Sequence, residues 1–286
     1  MSAPLTATLL LSGPDRPGLV AAVSDFIFRN GGNIIFADQH GERDSGAFFM
    51  RLVWELEGFR LGRDEIGAEA ATLARGLGLA AEIAFSDVRP RAAVFASRTP
   101  HCLYDLLLNE QLGELGGEMV VVISNHESLR DVAAHFGVRY ELVPVDPDDR
   151  AAAERRHQEL LDELVVELVV LARYMQVFSP AFAERWRGRM INIHHSFLPA
   201  FVGAQAYRQA RDRGVKMIGA TAHYVTAEVD QGPIIEQDVV RVSHRDEVAD
   251  LVRKGRELER QVLTRAVRSH LERRVLISGS RTIVFE

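Results

Sequence analysis

Three side chains of this 286-residue chain have the types and spacing to do chemistry on a carbonyl: Asn192, His194 and Asp230. The first two sit in Ile191-Asn192-Ile193-His194-His195-Ser196, and the third in Val229-Asp230-Gln231-Gly232-Pro233. Side chains on a strand alternate between its faces, so Asn192, His194 and Ser196 are expected on one face and Ile191, Ile193 and His195 on the other. An amide and an imidazole emerging together at a strand end can polarise a carbonyl. A carboxylate on a turn can orient the imidazole and accept or relay a proton. The three can then stabilise an oxyanion and move a proton without a metal. The spacing also argues against a metal site. Adjacent histidines on a strand point apart, and no i,i+4 pair of histidines flanks a glutamate.

These residues need a scaffold, and the chain offers two patterns. The first alternates apolar residues over 7–11, 33–39, 47–56 and 80–85, with helical periodicity over 19–29 and 63–77. The order β-α-β-β-α-β matches a ferredoxin-like unit over residues 1–86. A linker over 87–90 ends in Pro90. In the second pattern, short apolar strands over 92–96, 119–124, 168–172, 190–194, 216–224 and 234–240 alternate with helices. A long charged helix runs over 246–271. That alternation predicts a Rossmann-like, mainly parallel α/β sheet over 91–286, covered on both faces. Ligands of such sheets bind beyond the carboxyl ends of the strands, which is where Asn192 and His194 fall.

Composition narrows the function classes. The hydrophobic content of 47% suits an ordinary globular core, and a net charge of -6 gives no basic stripe for nucleic acid. The apolar run 164–172 is too short to span a membrane. The first ten residues read as a strand rather than a signal peptide. A single cysteine, Cys102, precludes a disulfide within the chain, so the expected compartment is the cytoplasm.

Four motifs in order carry a resemblance. They are Leu171-Ala172-Arg173-Tyr174-Met175-Gln176-Val177-Phe178-Ser179-Pro180, Asn192-Ile193-His194-His195-Ser196-Phe197-Leu198-Pro199-Ala200-Phe201, Gly219-Ala220-Thr221-Ala222-His223-Tyr224-Val225 and Asp230-Gln231-Gly232-Pro233-Ile234-Ile235. This set resembles the formyl transferase fold that uses 10-formyltetrahydrofolate. Within it the chain is most similar to the formyltetrahydrofolate deformylases, through His195 after the motif histidine, His101-Cys102-Leu103, and the N-terminal unit. The resemblance implies hydrolysis of 10-formyltetrahydrofolate to formate and tetrahydrofolate, with Asn192, His194 and Asp230 catalytic and no cofactor, folate being the substrate. It implies that Arg173, Tyr174, Met175, Gln176, Val177, Thr226 and Gln231 hold the folate. His195, Ser196 and His101 are expected to pack around the site, and so is the stretch 203–207.

The N-terminal segment Gly13-Pro14-Asp15-Arg16-Pro17-Gly18-Leu19-Val20, with Gly31-Gly32-Asn33-Ile34, resembles an ACT domain. The resemblance implies a homo-oligomer built through these domains and an amino-acid effector, glycine or methionine, held by Asp15, Gly18, Leu19 and Asn33. A purely oligomerising role is the plainer alternative.

Other plain readings stand beside the sharp ones. Asn192 and His194 taken alone are a capped strand end. Cys102 is read as a small buried hydrophobe, His223 as a core histidine and the segment 253–260 as a solvated helix face. Two rival functions remain. One is a formyltransferase to an amine such as glycinamide ribonucleotide. Against it, the loop 96–102 has no glycine, and Pro100 removes an amide that could hold a phosphate. The other is a non-catalytic folate or amino-acid sensor.

Overall fold

Apolar alternation in the first ninety residues and continuous apolar runs in the rest build two separate sheets. The structure, a computed structural model, describes residues 4–199 and 206–286. The end of the second motif at 200–201 and the stretch 203–205 therefore lie outside the described residues. The chain divides into two compact units, residues 1–89 with 273–278 and 283–286, and residues 90–272 with 279–282.

The first unit runs β1 (Thr6–Pro14), α1 (Leu19–Arg29), β2 (Ile34–Glu42), β3 (Ala47–Glu55), α2 (Arg63–Leu77) and β4 (Ala80–Phe85). Its sheet is antiparallel throughout, in the order β2-β3-β1-β4. The inner face carries Leu9, Leu11, Phe48, Met50, Leu52 and Trp54 against Leu19, Val23 and Ile27 of α1 and Ile66 of α2. β2 extends three residues past the expected end, because its ladder with β3 continues to the pair Glu42–Ala47.

The second unit runs β5 (Arg91–Ala96), α3 (His101–Gln111), β6 (Glu118–Ser124), α4 (Arg130–His135), β7 (Arg139–Leu142), α5 (Arg150–Glu163), β8 (Leu168–Ala172), α6 (Pro180–Arg185), β9 (Met190–His194), α7 (Ala206–Asp212), β10 (Met217–Tyr224), β11 (Ile234–Arg241) and α8 (Val248–Leu271). Its sheet has the order β11-β10-β9-β8-β5-β6-β7. The five strands from β9 to β7 pair in parallel, and β10 and β11 join antiparallel. β8 is buried at every position and β5 at all but its first, as strands covered on both faces must be. The sequence does not announce β7, a four-residue edge strand reading Arg-Tyr-Glu-Leu with no apolar run. Nor does it announce the hairpin of β12 (Val275–Ser278) and β13 (Arg281–Val284).

α8 corrects one expectation. Arg253, Arg256, Glu257 and Arg260 are exposed, but Gly255, Leu258 and Glu259 are buried. The apolar stripe at Leu251, Leu258, Val262 and Ala266 faces the unit's interior, and Glu259 lies beside that stripe rather than on the solvated face.

Candidate active site

β9 delivers the polar end of its strand to the centre of the unit. Its neighbour β8 is parallel, while β10 returns antiparallel with Thr221 opposite His194 and His223 opposite Asn192. A register shift between Ala222 and His223 kinks β10 there. Asp230 arrives from the turn that joins β10 to β11. Gly232 makes that turn possible, because an added Cβ would lie 1.7 Å from the Tyr224 carbonyl oxygen. The turn closes with Tyr224 N donating to Pro233 O at 2.9 Å.

The carboxylate meets the imidazole. His194 Nδ1 donates to Asp230 Oδ2 at 3.2 Å. His223 Nε2 lies 3.6 Å from Asp230 Oδ1 and 3.4 Å from Asn192 Nδ2. His223 Nδ1 donates to the Tyr224 carbonyl at 2.9 Å. The hydrogen bond from His194, followed by that from His223, holds the Asp230 carboxyl well below the usual carboxylate range. His194 Nε2 is buried with no hydrogen-bond partner. A buried nitrogen left unpaired is costly, so it is a place a ligand would satisfy.

These groups line one cavity of about 330 Å³. Arg173, Tyr174, Met175, Gln176, Val177, Thr226, Asn192, His194, His195 and Asp230 all border it, and so does His223. Gln231 is exposed and does not. Met175, Val177 and Val229 leave more than half their surface in solvent along the rim, an apolar lip for a flat ring system. Among the described residues, Arg173 and Asp230 are two of four non-glycine residues with positive φ, at 63° and 58°. Such backbone costs about 1–3 kcal/mol and concentrates where position matters for function.

Two readings from strand alternation and one from residue type need correction. β9 ends at His194, so alternation stops there: the His194 and His195 rings do not point apart but lie 5.0 Å from each other. Ser196, expected on the face of Asn192, is buried past the strand end, where its carbonyl accepts from Thr221 Oγ1 at 2.8 Å. His223 is buried, as a core histidine is, but it borders the cavity and touches both Asn192 and Asp230. His223 stands within the third motif, but its place beside Asn192 comes from strand pairing. Thr221 was also missed: its hydroxyl accepts from Leu198 N at 3.1 Å and from Gln237 Nε2 at 2.9 Å, which pins the turn behind His194.

A second polar cluster lies behind His195. Glu259, 2% exposed, accepts from His101 Nε2 at 2.8 Å and from Tyr207 Oη at 2.7 Å, with Arg173 Nε at 3.5 Å. Burial pushes its carboxyl up, but His101, Arg173 and Tyr207 together bring it below its ordinary range. His101, Cys102 and Glu259 place metal-type atoms within 4.8 Å of one another. The Arg173 cation beside them and the hydrogen bonds already made to Glu259 oppose a metal ion there. Burial, then Glu259, drives the Cys102 thiol well up, so it is not a nucleophile.

In the first unit, Asp15, Gly18 and Leu19 border a cavity of about 380 Å³ with Arg16, Gln39 and Phe48. Asn33 is elsewhere, donating to Glu55 Oε2 at 3.2 Å.

Known proteins share this arrangement. Residues 90–267 match the Formyl transferase family and residues 7–66 the ACT domain. A formyltetrahydrofolate deformylase of Synechocystis is 51% identical over 98% of this chain and 99% of its own, and one of Bacillus subtilis is 45% identical over 97% and 93%. The crystal structure of a formyltetrahydrofolate deformylase from Pseudomonas syringae pv. tomato superimposes with a TM-score of 0.97 at 45% identity, covering 99% of this chain and 95% of that one. A glycinamide ribonucleotide transformylase from Symbiobacterium toebii reaches a TM-score of 0.66 at 35% identity, covering 71% and 97%. Transferases thus share the second unit, whereas the deformylases match along nearly the whole length, and the chain belongs to the formyltetrahydrofolate deformylase family.

Proposed function

We propose that Asn192, His194 and Asp230 hydrolyse the formyl group of 10-formyltetrahydrofolate, giving formate and tetrahydrofolate. The observation that carries this reading is the His194–Asp230 pair at 3.2 Å, with the opposite ring nitrogen buried and unpartnered. The folate ring lies along Met175, Val177 and Val229, and its formyl group reaches Asn192 and His194. Water adds to the formyl carbon, and the carbonyl electron pair moves onto oxygen. Asn192 and protonated His194, which gives its Nε2–H while its Nδ1–H stays on Asp230, stabilise that oxyanion. Asp230, ionised and oriented by His194, takes the water's proton and passes it toward the leaving nitrogen. The C–N bond then breaks, and formate leaves.

An amine acceptor carrying a phosphate fits less well. The buried carboxylate of Glu259 stands against His101 at the start of α3, where such a phosphate would need positive charge. Formate release from purified protein with 10-formyltetrahydrofolate and no acceptor tests the reading. Release only on adding an amine would make it a transferase, and no release under either condition would make it a sensor.

The unit over 1–86 pairs with its copy in a homo-oligomer, and the Asp15–Gly18–Leu19 cavity receives glycine or methionine. The linker is 87–90, the catalytic unit lies within 91–286 apart from the segments 273–278 and 283–286 that group with the first unit, and the enzyme works in the cytoplasm. Among the described residues no helix is long and apolar enough to cross a membrane. Isothermal titration with both amino acids tests the effector; no heat would leave the unit as a structural pairing domain.

A further inference from the structure

The cluster behind His195 is expensive, and it leaves His101 Nδ1 buried without a partner. Tyr207 reaches Glu259 only because residue 255 is glycine, since an added Cβ would lie 1.9 Å from the Tyr207 hydroxyl. A glycine inside a helix costs about 1 kcal/mol relative to alanine. Burying a charged pair also seldom improves stability over an apolar core. Neither cost is repaid at Asn192 or Asp230, with which none of the cluster's hydrogen bonds is made.

The cluster ends on His195. Arg173 Nη1 lies 2.9 Å from His195 Nδ1. A guanidinium has only donors, so Nδ1 accepts. The neutral ring then carries its proton on Nε2. Burial first, and the Arg173 charge next, lower the His195 pKa to about 4, so the ring is neutral at working pH. His195 borders the cavity, its ring 5.0 Å from that of His194. What the chain has built is a neutral imidazole with a fixed tautomer and one N–H to give. During attack the water becomes more positive and the formyl oxygen more negative, so a donor beside the reacting group helps at the oxygen and hinders at the water.

We propose that His195 Nε2–H is a further donor to the formyl oxygen, and that Glu259, acting through Arg173, is the positioning residue that fixes its tautomer and orientation. This rests on the hydrolase reading above. The bonds made and broken are unchanged: water's oxygen bonds to carbon, its proton leaves toward Asp230, and the C–N pair departs with a proton on nitrogen. His195 gives a hydrogen bond and keeps its proton.

The test is a double-mutant cycle on the full chain, read as kcat and KM for formate release. His195→Phe should lower kcat about a hundredfold with KM within about threefold, the signature of a lost oxyanion donor. His195→Gln, which retains an N–H donor, should recover about tenfold of that loss. Glu259→Gln should lower kcat about tenfold, and combined with His195→Phe it should add less than about twofold, because its effect passes through the missing ring. Losses that multiply, a rise in KM alone, or wild-type kcat in either single variant would overturn the proposal. If His195→Phe loses its circular dichroism signature, the same cycle with the donor-less His195→Leu decides by the same criterion. Asp230→Asn is the reference: if it keeps activity, the hydrolase reading itself fails, whereas a dead Asp230→Asn beside a fully active Glu259→Gln sinks only this proposal.

Discussion

Asp230 and Glu259 are both carboxylates held below their ordinary range by imidazoles, within one unit of the chain, and they do different work. Asp230 sits on a turn in left-handed backbone at the cavity wall, and the histidine it orients has its other nitrogen unpaired. Glu259 sits on a helix, 2% exposed, and Tyr207, His101 and Arg173 surround it. The first arrangement leaves a bond for the substrate to make. The second lies away from the cavity lining: the Glu259 oxygens are taken by protein, and the other His101 nitrogen is buried too but does not border that cavity, so Glu259 can act only through Arg173. Burial and a depressed carboxyl therefore do not by themselves mark a reacting group; an unsatisfied partner that borders a cavity does.

The contrast can be broken most sharply at Asp230. Asp230→Asn should lower kcat about a thousandfold or more while folate binding survives, because the amide cannot take the proton or hold His194 protonated. Paired rate and equilibrium-titration measurements check it, and a loss no larger than that of Glu259→Gln would erase the distinction. Gly232→Ala should cost about 3 kcal/mol or more, since a backbone oxygen at 1.7 Å cannot step aside as a flexible side chain can. Urea denaturation reads this directly, and residual folded protein should lack formate release. Thr221→Val keeps the shape but leaves Leu198 N without its acceptor and Gln237 Nε2 with only the Leu198 carbonyl, so stability should fall about 1–3 kcal/mol with a smaller drop in kcat.

The remaining effects are in pH. The folded Asp230 carboxyl titrates below the ordinary 3.8, so the folded state binds fewer protons than the unfolded one there. Its contribution to stability is complete above that value and is lost as pH falls further toward the folded one. His195 behaves alike in sign at higher pH. Its pKa falls from 6.5 to about 4, so stability should decline as pH drops across that window. Denaturation series in Asp230→Asn and His195→Gln should each flatten their own segment of the curve.

Much of the first arrangement was legible in the sequence. Asn192, His194 and Asp230 stand in motifs, and Gly232-Pro233 marks the turn that carries the carboxylate. The parallel core was legible too, because β5 and β8 are unbroken apolar runs. The second arrangement was not. Glu259 lies in a run of charges that looks solvated, and only the phase of Leu251, Leu258 and Val262 turns it inward. His223 joins the site by lying across from Asn192 on a neighbouring strand, a pairing that no linear spacing encodes. His195 was assigned to the wrong direction because alternation was carried one residue past the end of β9. β7 escaped because an edge strand needs no apolar face to be recognised by its neighbour.

The glycine at 232 sets terms for anyone redesigning this enzyme. Its missing side chain welds Asp230 to the border of the sheet, so the 229–233 turn is a unit to be transplanted whole or left alone. The lip formed by Met175 and Val177 carries no such constraint. Altered preference among folate analogues should be sought by varying that lip, with the chemistry carried along unchanged.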